Sequence, residues 1–175
     1  MNRNDIHFMI AAVLTVLVQI VICNYMFLGP MATVTVLPVL ILFMPLKRPD
    51  WIVMTEAFCI GIAIDLFSDG VLGLNAAALV PAALLQKPFI RLFVGEDTVV
   101  RCDPVSINKS GWMRAIAMTT LATLLFLVVY VFLDSAGTRS FGFNCARIGI
   151  SLAASMVFEL IAVHVFSNLN KRELP

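Results

Sequence analysis

Charged side chains are scarce in this chain of 175 residues. Asp, Glu, Lys and Arg make up 13% of the sequence, whereas about 25% is usual for soluble domains. The net charge is +1, and the mean hydropathy is +0.97. A soluble domain of this size buries only about 60–70% of its chain surface, so it could not hide so many apolar residues. The composition therefore excludes a soluble globule, a disordered chain and a nucleic-acid-binding protein, and it predicts an integral membrane protein.

Residues that carry chemistry are few as well. The four cysteines show no CxxC spacing, which argues against a zinc site or a redox pair. Only two histidines occur, and the GxSxG, HExxH and Walker motifs are absent. Asp65 and Asp69 lack the further carboxylates that a two-metal site needs. We therefore expect a protein that is not an enzyme and that uses no metal or cofactor.

Long apolar runs predict six transmembrane helices that form one domain over residues 1–175. A helix needs about 20 apolar residues to cross the bilayer, and β-barrel strands would be shorter and alternating. The predicted helices cover approximately residues 6–27, 31–46, 51–68, 72–93, 112–133 and 145–166. The expected fold is an all-α integral membrane protein, a six-transmembrane-helix bundle. Pro81 and Pro88 should kink the fourth helix near Leu85.

The distribution of Lys and Arg predicts the orientation of the chain. With six crossings, 10 of the 12 basic residues fall on one side, which places both termini in the cytoplasm. The second predicted helix is short and contains Pro38. If it were re-entrant, five crossings would place the N-terminus outside, and the charge distribution barely separates the two possibilities. We prefer six crossings because irregular backbone at membrane depth must be covered by protein or line water.

Ionisable residues inside the predicted helices are functional candidates, because burying them in hydrocarbon is costly. In the third helix, Ala57, Gly61, Asp65 and Asp69 recur every four residues and form one stripe. The small residues allow a neighbouring helix to approach closely, so Asp65 should face a protein interface or an outward-facing cavity. We expect it to pair with Arg147 or to form a hydrogen bond at a helix end.

Two further acids, Glu56 and Glu159, should share a layer near the cytoplasmic boundary. Counted along the helices at 1.5 Å per residue, each lies about 8–10 Å from that boundary. Arg114 begins close to the same boundary and could pair with either acid. A proton or cation site is the alternative interpretation of this layer.

A chain of nearly pure helix has two obvious ways to act. It can bind other helices within the membrane, or it can hold a ligand between its own helices. Interfaces in lipid are built from small residues and a few polar groups. The third helix supplies such residues, and so does the sixth, with Gly149, Ser151, Ala153, Ala154 and Ser155.

The stretch from Pro38 to Ala76 resembles the MreD family, the rod-shape-determining membrane proteins of bacteria. The resemblance depends on a second hydrophobic segment that contains proline, on an aromatic residue, a glycine and an aspartate at helical spacing, and on a glycine turn before the next helix. Leu37 departs from the aromatic residue that the family often has before the proline. In this sequence the matching residues are Pro38, Pro45, Phe58, Gly61, Asp65 and Gly73-Leu74-Asn75-Ala76.

This resemblance implies a non-enzymatic scaffold subunit of the cell-wall elongation complex, located in the bacterial cytoplasmic (inner) membrane. Such a protein helps to control peptidoglycan synthesis and cell shape. The implied partners are an MreC-like single-span protein and, through it, an MreB-like filament and the glycosyltransferase–transpeptidase pair. The resemblance also implies a fold similar to the substrate-binding subunits of energy-coupling-factor transporters. The alternative function is therefore a substrate-binding subunit of a vitamin-type membrane transporter.

The candidate residues fall into two groups, and no metal ligands are among them. The residues expected to face a partner or a pocket are Asp65, Gly61, Glu56, Arg147, Glu159 and Arg114. The residues expected to have a structural role are Pro38 and Gly73.

Overall fold

In the computed structural model, the described residues are 3–25, 31–68, 71–101, 111–136 and 138–171, with the backbone alone described for 3–7 and 167–171. This part of the chain is helical and contains no β-strand. Its helices are α1 (Arg3–Tyr25), α2 (Leu37–Leu42), α3 (Asp50–Phe67), α4 (Leu74–Leu84), α5 (Gln86–Phe93), α6 (Glu96–Val100), α7 (Trp112–Ser135) and α8 (Phe141–Lys171).

Among the described helices, three are long and apolar enough to cross a membrane, namely α1, α7 and α8. Helices α4 and α5 would together supply a fourth crossing if the bent pair counts as one span. Helices α1 and α8 expose apolar side chains on their outer faces, such as Val13, Leu14, Val157 and Ile161. The expectation of an all-helical membrane protein is confirmed at this level.

The prediction of a continuous second helix over residues 31–46 is wrong. Residues 32–36 form a non-helical segment, and only Leu37–Leu42 are helical. Thr33, Val34, Thr35 and Val36 are all β-branched, which disfavours helix because the side chains crowd the preceding turn. Pro38 then lies in the first turn of α2, where its missing N–H is tolerated.

This non-helical segment and α2 lie in the centre of the bundle. Every residue from Val34 to Met44 is buried, and Leu37, Val39 and Leu40 are completely so. Helix α2 contacts α1, α4, α5, α7 and α8. Irregular backbone is tolerated at membrane depth only where protein covers it or where it lines water. The surrounding helices provide that cover.

Helices α3 and α4 pack closely against each other. Ala57, Gly61 and Asp65 of α3 are buried on one face, as their four-residue spacing predicts. A Cβ added at Gly61 would lie only 2.3 Å from the Ala76 Cα and 2.5 Å from the Ala76 N. The α4 backbone therefore occupies the space that any side chain at position 61 would need.

The predicted kink in the fourth helix is confirmed. Helix α4 ends at Leu84, and α5 begins at Gln86 after a bend of 47°. Pro88 has no N–H to donate to the Leu84 carbonyl four residues earlier, so the helical hydrogen-bond ladder is interrupted at this point.

Helices α7 and α8 form an antiparallel hairpin with a fixed register. The Trp112 and His164 rings stack with centroids 6.0 Å apart, and near the connecting loop the Ser135 hydroxyl donates to Asn144 over 2.8 Å. Phe8 and Phe43 both contact the Phe166 ring, with centroids 6.0 Å and 5.9 Å away. The beginning of α1, the end of α2 and the far part of α8 therefore lie together.

The bundle thus has two ends, which we name after the arginine found at each. The Arg48 end holds the ion pairs Arg48–Glu56 and Lys87–Asp50. The Arg147 end holds the ion pair between Arg147 and Asp134.

We predict that Gly61→Ala destabilises the protein by about 1–3 kcal/mol, because α3 and α4 must separate to admit the methyl group. Gly149→Ala is the matched control, because a Cβ at Gly149 meets nothing within 4 Å. Thermal unfolding of the purified protein in lipid nanodiscs measures the difference. Equal melting temperatures for the two variants would contradict the close approach at Ala76.

Candidate functional site

The candidate site is the set of buried polar side chains around the non-helical segment, and Ser151 and Ser155 of α8 form its first part. The Ser151 Oγ accepts a hydrogen bond from the Thr33 N–H over 2.9 Å, and the Ser155 Oγ accepts one from the Thr35 N–H over 3.0 Å. Ser151 and Ser155 are four residues apart on α8, which corresponds to a rise of about 6 Å along the helix. Thr33 and Thr35 are two residues apart, and two residues of extended chain cover about the same distance. The serines thus follow the segment along the bundle.

Gln19 of α1 holds the segment from the opposite side. Its Oε1 accepts a hydrogen bond from the Val36 N–H over 2.8 Å, and its Nε2 donates to the Val34 carbonyl over 3.0 Å. The Thr35 hydroxyl accepts a further bond from the Leu37 N–H over 3.3 Å. A buried backbone group without a partner costs about 1–3 kcal/mol, so these side chains replace the hydrogen bonds that a helix would have provided.

Asp65 lies at the junction between α3 and α4, where its carboxylate holds the start of α4. Its Oδ2 accepts a hydrogen bond from the Gly73 N–H over 2.9 Å. Its Oδ1 accepts two from Asn75, one from the backbone N–H over 3.2 Å and one from the side-chain amide over 2.7 Å. Asp65 is 2% exposed. A carboxylate in this position satisfies free N–H groups and interacts favourably with the positive end of the helix dipole.

Gly73 is required at this junction by its backbone conformation. Its φ of 88° lies in the left-handed region, which side chains disfavour. This conformation directs the Gly73 N–H toward Asp65 and begins α4 at Leu74. Asp69, the fourth member of the predicted stripe, lies outside the described residues.

The expected Asp65–Arg147 pair is wrong, and the alternative of a hydrogen bond at a helix end is the one found. Arg147 instead pairs with Asp134 across the α7–α8 hairpin. The sequence indicated that both residues lie near one end of the bundle, but depth does not tell which helices are neighbours. Arg147 is 5% exposed, and its Nε has no hydrogen-bond partner in the described part of the chain.

The expected pairing of Arg114 with Glu56 or Glu159 is also not found. Glu56 pairs with Arg48, which precedes α3, and both side chains are 33% exposed. Arg114 is exposed. Glu159 is completely buried, and the Thr123 hydroxyl donates to its Oε1. The two acids therefore have different partners and different surroundings.

Several important polar residues were missing from the sequence-based candidates. Asn75 donates its backbone N–H and its side-chain amide to Asp65, and the signal that could have found it is a polar residue in the first turn of a helix that follows a glycine. The sequence analysis identifies Ser151 and Ser155 only as small packing residues, and Asp134 falls just after the predicted fifth helix. Nothing in the sequence singles out Thr123, because its role depends on its position opposite Glu159.

Comparisons of the chain with protein families, with curated proteins and with solved structures give no match.

The chemistry of this site is that of a structural network. Among residues 3–25, 31–68, 71–101, 111–136 and 138–171, no three His, Cys, Asp or Glu side chains are grouped so that they could hold a metal ion. Gln19, Ser151, Ser155 and Asp65 form hydrogen bonds to backbone groups of the non-helical segment and of the junction before α4. The polar interior therefore fixes the course of the chain and leaves the outer surface for contacts with other molecules.

We predict that Asp65→Ala lowers the free energy of unfolding by roughly 2–4 kcal/mol, because it leaves buried donors of Gly73 and Asn75 without an acceptor. Asp50→Ala is the matched control: the Asp50 carboxylate pairs with Lys87 but is 57% exposed, so its loss should cost only about 0–1 kcal/mol. Reversible unfolding in mixed micelles compares the two variants. An Asp65 variant as stable as the Asp50 variant would contradict the assigned role.

Proposed function

We propose that this protein is a non-enzymatic membrane scaffold subunit that binds another membrane protein through the outer face of α8. The observation that carries this proposal is a stripe of small residues on that face, which we call the α8 stripe. It runs at helical spacing, and all four members are exposed: Gly142, Ala146, Gly149 and Ala153.

The α8 stripe lies on a different face from the serines that hold the non-helical segment. Ser151 and Ser155 are completely buried, whereas Gly149 and Ala153 are exposed. A Cβ built at Gly142 or Gly149 meets no atom within 4 Å, so no described part of the chain packs closely there. Small residues at four-residue spacing let two helix backbones approach closely in lipid, where apolar surface alone gives no driving force.

The partner that we propose is a single-span protein of the MreC type. Two observations support this choice. A groove of small residues along one helix fits one partner helix, and residues 38–76 resemble the MreD family. The scaffold would then belong to the bacterial cell-wall elongation complex in the cytoplasmic membrane. Its indirect partners would be an MreB-like filament and the glycosyltransferase–transpeptidase pair, through which it would help to control peptidoglycan synthesis and cell shape.

We further propose that the chain crosses the membrane six times, with both termini in the cytoplasm. The non-helical segment and α2 together span about 25–30 Å at the rises of extended chain and helix, close to the thickness of the hydrocarbon core. The contact of Phe8 with Phe166 supports an even number of crossings, because it brings the first and last helices together near the chain ends. The Arg48 end would then face the cytoplasm. Six crossings would also agree with a fold like that of energy-coupling-factor substrate-binding subunits.

We predict that Ala153→Leu reduces co-purification with the MreC-like protein by about tenfold or more, because a bulky side chain holds the two helices apart. Ala117→Leu is the matched control, since Ala117 is an exposed alanine on α7, away from the α8 stripe. Both variants are expressed with a tagged partner in a rod-shaped host that lacks its own copies. Amounts of membrane-inserted protein are compared first.

The same strains test the biological role. Cells that carry Ala153→Leu should become round, and cells that carry Ala117→Leu should remain rods. Unchanged partner recovery and cell shape with Ala153→Leu would contradict docking on the α8 stripe. A normal rod shape after depletion of the whole protein would contradict the scaffold function itself.

A further inference from the structure

Glu159 of α8 keeps one unsatisfied oxygen inside the bundle. The side chain is 0% exposed, and the Thr123 hydroxyl donates to Oε1. The second oxygen, Oε2, is buried and has no hydrogen-bond partner among the described residues. The ion pairs of this part of the chain involve other acids, namely Glu56, Asp50 and Asp134. Among the described residues, the Glu159 carboxyl group therefore has no basic side chain as an ion-pair partner and no second hydrogen-bond donor.

Thr119 of α7 provides a second unsatisfied group. Its side chain is 1% exposed, and its Oγ1 has no hydrogen-bond partner among the described residues. Other helical threonines avoid this situation, because Thr15, Thr55 and Thr120 each donate to the carbonyl four residues earlier over 2.8 Å. The Thr119 hydroxyl is therefore free to act as a ligand.

The register of the α7–α8 hairpin brings these groups within about one helical turn of each other. Thr119 and Thr123 are one turn apart on the same face of α7, and Thr123 contacts Glu159. On α8, Glu159 continues the buried line of Ser151 and Ser155, which holds the non-helical segment. Oxygen atoms from a carboxylate and two hydroxyls therefore lie within about one helical turn of each other in the interior of the bundle.

We propose that Glu159, Thr119 and Thr123 bind a monovalent alkali cation. Carboxylate and hydroxyl oxygens are hard ligands, which suit alkali and alkaline-earth ions better than transition metals. One carboxylate balances one positive charge, whereas a divalent ion usually takes more acidic ligands than this site offers. The proposal is independent of the partner protein, because the site lies inside the chain.

Thermal unfolding at constant pH and ionic strength tests this site. The purified protein in nanodiscs is melted in sodium chloride, potassium chloride or choline chloride. Sodium or potassium should raise the melting temperature by roughly 5–10 °C once its concentration exceeds the dissociation constant about a hundredfold. Glu159→Gln should abolish this increase, and Thr119→Val should reduce it. Thr120→Val is the matched control and should retain it.

Equilibrium binding of radioactive sodium or rubidium provides a second measurement, with one ion expected per chain. If Glu159→Gln fails to fold, Thr119→Val still decides the question, because the melting and binding measurements can be made on it. Equal melting temperatures of the unmodified protein in all three salts, or an undiminished salt effect in Glu159→Gln or Thr119→Val, would overturn the proposal. A melting temperature that follows pH but not the cation would show that Glu159 takes a proton, and this result would overturn it as well.

Discussion

The structure depends on satisfying the backbone of a non-helical segment inside a membrane protein. Hydrocarbon offers no hydrogen bonds, so each free N–H or carbonyl there costs several kcal/mol. A helix satisfies these groups by itself, whereas residues 32–36 need help from other elements. Gln19, Ser151 and Ser155 provide it from two different helices. This requirement explains why polar side chains from α1 and α8 point to the same central segment.

The same need to satisfy buried polar groups explains the other buried polar residues. Asp65 satisfies the start of α4, and Arg147 and Asp134 join the two arms of the last hairpin. These side chains hold the fold together and leave the membrane-facing surfaces apolar. The partner that we propose would then recognise shape more than polarity, and the α8 stripe is the surface that we propose for it. The exceptions are Glu56, Thr119, Arg147 and Glu159, because each keeps one buried side-chain atom without a partner among the described residues.

The sequence predicts the long helices well, because a continuous apolar run admits few structures in a bilayer. Helices α1, α7 and α8 begin and end within a few residues of their expected bounds, except that α8 is longer at both ends. The bend at Leu85 follows from the missing N–H of Pro88. The close contact at Gly61 follows from the spacing of small residues along α3.

The sequence does not predict the pairing of the polar residues, because position along a helix gives depth but not neighbours. Asp65 and Arg147 were expected to meet on the basis of depth alone, whereas the fold places α4 against one and α7 against the other. The non-helical segment was missed for a related reason. Its β-branched residues favour extended chain only weakly, and the hydrogen bonds that stabilise it come from residues more than ten positions away. Local preference alone could not decide between a helix and this segment.

Our central claim is that the non-helical segment and α2 together complete one crossing of the membrane, and the location of the two chain ends tests it most directly. Reporter fusions at the N-terminus and at the C-terminus, one active only in the cytoplasm and one active only outside, are compared in the same host. If the segment crosses, the chain has six crossings and both ends report the cytoplasm. An N-terminus outside the membrane with a C-terminus in the cytoplasm would mean five crossings and a re-entrant segment, and it would contradict the claim.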